Sequence, residues 1–144
     1  MKPKDKCFDQ IRVGDSSSFY KRVTEKDVIK FSEISGDYNP LHLDDKYASK
    51  TIFKGRIVYG MFMCALISRL VGMELPGKRS LLVKECLEFK APVRIGNKIL
   101  VKGTVLHKSS VSQTIELSVR ITRSKKILVS GSVFVKILSY ENKS

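Results

Sequence analysis

The sequence lacks the features that would carry it across a membrane or around a metal. No apolar run approaches the roughly 20 residues that span a bilayer, and the lysine-rich start, Met1 to Gln10, has no apolar core behind it. Neither a membrane span nor a signal peptide is expected. Cysteines number 3, Cys7, Cys64 and Cys86, an odd count without CxxC spacing, and two of them fall in apolar runs. Thiols that pack as small hydrophobes suit a reducing cytoplasm. The 2 histidines, His42 and His107, stand far apart without ligand-type spacing around either, so no metal site is expected.

Acidic residues are scarce: 14 Asp+Glu face 27 Lys+Arg, leaving a formal net charge of +13. An anionic partner would be attracted to such a surface. Lys84, Lys102, Arg120 and Lys136 alternate with apolar residues, however, as solvated strand faces do. Nucleic acid is not expected, because no helix-turn-helix pattern, zinc finger or aromatic-basic RNA motif accompanies the charge. Phosphates on a small ligand, or an acidic carrier protein, stay open.

What is present fits one domain over residues 1–144: 42% of residues are hydrophobic and 28% charged, and no linker or repeat divides the chain. The first half has helical spacing and the second half strand spacing, which gives an α+β class. After a short strand at Ser17 to Arg22, Thr24 and Asp27 make a helix start, with Val28, Phe31 and Ile34 at helical spacing and Gly36 as the stop. From Gly36 to Leu43, GDYNPLHL predicts a loop between helices, and Asp44 caps a short helix through Lys50. Ile57 to Val71 is apolar on nearly every face, which predicts a helix buried all round. Rows of alternating apolar residues at 99–105, 111–121 and 127–137, with a fourth candidate at Leu81 to Phe89, predict antiparallel strands. A curved antiparallel sheet wrapped round one central helix is the hot-dog arrangement.

The informative stretch runs from Phe31 to Gly60, FSEISGDYNPLHLDDKYASKTIFKGRIVYG. It resembles the MaoC-like, or (R)-specific enoyl-CoA hydratase, family on Ser35-Gly36-Asp37, Asn39-Pro40, His42, Asp44, Ala48, Phe53 and Ile57-Val58-Tyr59-Gly60-Met61. Tyr59 is the departure, since many relatives have histidine there. The resemblance implies a hydratase that adds water across a trans-2-enoyl thioester to give the (R)-3-hydroxyacyl form, or runs the reverse dehydration. It implies acyl-CoA or an acyl carrier protein thioester as substrate, no cofactor, and a homodimer whose sheets join.

The chemistry of the residues agrees. Hydration needs a base for water, an acid for C2 and donors for the developing enolate oxygen. Asp37 and His42 share one bent segment that can bring a carboxylate and an imidazole to one water, and an imidazole takes or gives a proton near neutrality. Gly60, opening the apolar helix, would offer its backbone N–H to the thioester oxygen as an oxyanion donor. By resemblance Asn39 orders the catalytic loop and Ser68 lines the acyl pocket. Each residue also has a structural reading: an Asx-turn for Asp37, a turn before Pro40 for Asn39, a backbone-bonded ring for His42, a helix cap for Gly60 and a hydroxyl bonded back to its helix for Ser68. Two other readings of the whole chain are a hot-dog thioesterase, which would need its acid or base on the central helix, where Gly60 to Gly72 has no carboxylate, and a non-catalytic acyl-thioester or nucleic-acid binding module.

Overall fold

The computed structural model describes residues 1–140. Its elements are β1 (Ser16–Arg22), α1 (Glu25–Ser35), α2 (Pro40–Leu43), α3 (Asp45–Ser49), α4 (Gly60–Arg69) continued by a π turn (Leu70–Glu74), β2 (Ser80–Phe89), β3 (Lys98–Ser109), β4 (Thr114–Arg123) and β5 (Lys126–Ile137). The strands form one antiparallel sheet in the order β1-β3-β4-β5-β2. The α+β class and the predicted strands and helices are thus borne out, with three local corrections.

α1 begins as its sequence demands. Thr24 accepts from the Asp27 N–H at 3.2 Å while the Asp27 carboxylate takes the Thr24 N–H at 2.8 Å, a reciprocal capping box. Gly36 closes the helix at φ 72°, a left-handed conformation that glycine adopts without a side-chain penalty. Asp44 caps α3 through the Tyr47 N–H.

α4 lies on the concave face of the sheet in one core with Ile99, Val101, Val105, Leu117, Val119, Ile121, Val133 and Val135. Gly103 permits the close approach, because a Cβ there would stand 2.7 Å from Leu70 Cδ2. The first correction concerns this helix. It is not buried all round: Met61, Ala65 and Ser68 form an exposed stripe at helical spacing. A single sheet covers only one side of a helix, so the apolar pattern calls for a second cover that this chain does not provide to itself.

The second correction is in the strands. Ile127, expected on the inner face, is partly exposed, and Leu128 is buried instead, because a bulge between the β4 partners Ile121 and Thr122 shifts the register of β5. Val111 lies in the turn before β4 and is almost fully exposed. β2 is an edge strand whose Leu81, Leu82, Val83 and Phe89 are exposed. Lys84, Lys102, Arg120 and Lys136 are exposed on the strands, as solvated faces. None of the helices among the described residues is long and apolar enough to cross a membrane.

Candidate active site

The segment that carries the motif is not a plain loop, which is the third correction. Asn39 accepts from the Leu41 N–H at 2.9 Å, and Pro40 takes the first helical position, so the chain makes a four-residue helix, α2, with His42 on it. Proline suits that place because its missing N–H would have no partner there. Asn39 therefore orders this segment as a cap.

Asp37 lies just outside α2 and is exposed. One carboxylate oxygen, Oδ1, accepts from the Asn39 N–H at 3.0 Å, an Asx-turn. Oδ2 has no hydrogen bond among the described residues. The structural reading of Asp37 is therefore realised, and it uses one oxygen only.

His42 is half-buried. Its Nδ1 stands 2.7 Å from the carbonyl oxygen of Ile57. A carbonyl can only accept, so Nδ1 must carry a proton. In the neutral ring the lone pair is then on Nε2. Here too the backbone bond is present, and it selects the tautomer instead of occupying the whole ring.

Between these two residues stands Tyr59, which is buried. Its hydroxyl donates to the Asp37 carbonyl oxygen at 2.6 Å, and its ring lies 3.9 Å, centroid to centroid, from the His42 imidazole. Burial, then the charge of Asp37, push the Tyr59 phenol above its ordinary value. It stays a hydrogen-bond donor at neutral pH. Phe31 of α1 packs on the other part of the ring at 4.9 Å. Nothing in the local sequence signals this role for Tyr59; only its departure from the histidine of many relatives marked it.

Gly60 follows as the first residue of α4, where an N–H has no intrahelical acceptor. It lines an apolar cavity of about 280 Å³ with Phe53, Ile57, Met63, Phe89 and Val93. A Cβ at Gly60 would meet the Phe89 ring at 3.1 Å, so glycine leaves room between the helix end and that ring. Ile57 joins the two halves of the site: its carbonyl fixes His42 and the residue itself lines the cavity. Phe53 belongs to the motif read from the sequence, whereas Phe89 and Val93 were not singled out there, because only the fold brings β2 and the segment after it beside α4.

Ser68 stands apart. It is exposed on the outer stripe of α4 and outside the cavity lining, so this geometry gives no support to a role in the acyl pocket. His107 sits on β3 opposite Glu116, away from α4. Among the described residues no three His, Cys, Asp or Glu side chains gather in a metal-binding arrangement.

The family model described as MaoC like domain matches residues 12–126. An (R)-specific enoyl-CoA hydratase of Rhodospirillum rubrum is 35% identical over 130 residues, covering 90% of this chain and 90% of that protein. A mitochondrial 3-hydroxyacyl-[acyl-carrier-protein] dehydratase of Arabidopsis thaliana is 30% identical over 121 residues, covering 83% of this chain and 72% of that protein. The solved structure of an unliganded R-hydratase from Pseudomonas aeruginosa superposes with a TM-score of 0.89 at 30% identity, covering 96% of this chain and 89% of that one.

Proposed function

The chain belongs to the MaoC-like domain family, and from that membership we infer that it is a lyase interconverting trans-2-enoyl thioesters and (R)-3-hydroxyacyl thioesters. The observation that carries this reading in the chain itself is the His42 ring, held by the Ile57 carbonyl at Nδ1 so that Nε2 is the nitrogen available for chemistry. Neutral His42 takes a proton from water at Nε2, the water oxygen bonds to C3 of the enoyl group, and the electron pair of the double bond moves toward the thioester oxygen. The imidazolium then returns a proton to C2, which closes the balance with one water added. Asp37 Oδ2 accepts the second hydrogen of that water and steadies the imidazolium. The Gly60 N–H, at the positive end of α4, receives the enolate oxygen.

The apolar cavity beside Gly60 suits the acyl chain. Lys90 on its lining and the net charge of +13 favour a thioester on an anionic carrier, the phosphates of coenzyme A or the carboxylates of an acyl carrier protein. No cofactor takes part. A homodimer would cover the exposed stripe of Met61, Ala65 and Ser68 and the unpaired β2 edge with Leu81, Leu82 and Val83, both of which are apolar surfaces that water leaves unfavourable. Residues 1–144 then act as one domain, and the three free cysteines fit a reducing cytoplasm.

The test is to mix the purified protein with crotonyl-CoA and, separately, with crotonyl-acyl carrier protein and follow the enoyl absorbance, with chiral analysis of the product. Loss of absorbance with (R)-3-hydroxybutyryl-CoA is expected. Exclusively (S) product, or no turnover on either carrier, would overturn the reading.

A further inference from the structure

We propose that Tyr59 is the positioning residue of this site, holding Asp37 with its hydroxyl and His42 with its ring so that both address the same water. The proposal rests on the hydratase reading above and adds a residue to it.

Tyr59 packs in the buried core against Phe31, and beyond that packing its hydroxyl and ring each contact a residue of the site. Tyr59 is the residue before α4, yet it makes no side-chain cap to that helix. It is only 2% exposed, so its phenol needs a partner, and the partner it has is the Asp37 carbonyl oxygen at 2.6 Å. That bond fixes the main chain on which the Asp37 carboxylate stands, while the Asx-turn to Asn39 fixes the side chain. The ring lies on the His42 imidazole at 3.9 Å and 36°, with Phe31 behind it at 4.9 Å. Two contacts then define the imidazole plane: the Ile57 carbonyl at its Nδ1 edge and the Tyr59 ring on its face. Tyr59 is also bonded through the backbone to Gly60, so one rigid residue joins the carboxylate, the imidazole and the N–H at the start of α4. Histidine in this place is shorter than tyrosine by the reach of a phenol, and the carbonyl of Asp37 would need another donor.

Two variants separate the two contacts. Tyr59→Phe keeps the ring and loses the hydroxyl; Tyr59→Leu loses both. With crotonyl-CoA as substrate, Tyr59→Phe is expected to lower kcat about tenfold with KM within about twofold, because misplacing a reacting group costs rate more than binding. Tyr59→Leu is expected to lower kcat about tenfold further. The second readout needs no turnover. With only 2 histidines in the chain, a long-range proton–nitrogen spectrum of the imidazoles reads His42 directly. All three proteins should keep the proton on Nδ1, which the Ile57 carbonyl selects, while in Tyr59→Leu that proton should exchange with solvent at least about tenfold faster because the imidazole face is uncovered. Unchanged kcat in both variants, whatever their melting temperatures, would overturn the proposal, as would a rise in KM alone or an unchanged exchange rate of the Nδ1 proton in a folded Tyr59→Leu. Absence of turnover in the wild-type protein would instead sink the hydratase reading, leaving the imidazole spectrum to decide the positioning role.

Discussion

The Nδ1 nitrogen of His42 donates to the carbonyl oxygen of Ile57 across 2.7 Å, although the two lie 15 positions apart in the chain. This bond ties α2 to the segment that leads into α4, and it sets which nitrogen of the ring faces chemistry. Its neighbour on the other side is Tyr59, so the imidazole is held at an edge and on a face.

Asp37→Asn and His42→Ala should each lower the hydration rate by at least about 100-fold, the usual range for removing a positioned acid or base. Both should stay folded, since Asp37 is exposed and His42 forms one backbone bond worth about 1 kcal/mol net. Rate assays beside circular dichroism measure this. Near-wild-type turnover in either folded variant would remove that residue from the mechanism.

At Gly60, substitution by alanine places a methyl group 3.1 Å from the Phe89 ring. Phe89 is 53% exposed and can turn aside, so stability should change by less than about 1 kcal/mol. The rate should fall between about 10-fold and 100-fold, because the methyl stands where the thioester oxygen must reach the N–H. Combining Gly60→Ala with Phe89→Ala separates the two causes. Full recovery of rate in the double variant would show that the ring, and not access to the N–H, was at issue.

The exposed apolar stripe on α4 and the β2 edge give an assembly prediction. Sedimentation velocity should find a dimer, and Met61→Glu or Leu82→Lys should shift it toward monomer, since each puts a charge on a surface that the dimer must dry. A wild-type monomer at all concentrations would contradict the proposed homodimer.

Asp27 gives an acid limb of stability. Burial raises its carboxyl, but Lys21 at 2.8 Å and the Thr24 N–H and hydroxyl outweigh that and hold it below the ordinary value. A carboxyl lowered in the folded state contributes stability that is present above the ordinary carboxylate range and is lost as pH falls through the folded value. Asp27→Asn should therefore destabilise the protein by about 1 kcal/mol at pH 7, with the difference closing below about pH 4. Thermal melts at several pH values test it; a constant difference down to pH 2 would assign the effect to packing.

Glu85 on β2 behaves in the opposite sense. Its Oε1 is buried without a hydrogen bond among the described residues, and burial pushes its carboxyl up. The folded chain then binds this proton more tightly than the unfolded one, so stability falls as pH rises from the ordinary carboxylate range through the raised value. Glu85→Gln should raise the melting temperature at pH 8 and lose that advantage toward pH 4. A lower melting temperature at pH 8 would mean that the carboxylate has a cation to pair with.

Much of this was legible without coordinates. The capping box of Thr24 and Asp27, the stop at Gly36, the Asp44 cap and the alternation of Ile99, Val101, Gly103 and Val105 depend on neighbours within a few residues, where sequence is a direct record of geometry. The short helix α2 was not foreseen, because a turn and one helical turn share Asn-Pro chemistry. Ile127 was misplaced because a bulge leaves no composition of its own.

The order of residues by itself determined the α+β class, the five strands, the family and the placing of Asp37 and His42 on one bent segment. Tertiary structure alone decided that Nδ1 of His42 meets Ile57, that Tyr59 spans Asp37 and His42, that Phe89 faces Gly60 and that Ser68 looks outward. Contacts between distant segments depend on how strands register and how a helix rotates on its sheet, and a rotation of α4 that leaves its apolar pattern intact still chooses which side chains meet.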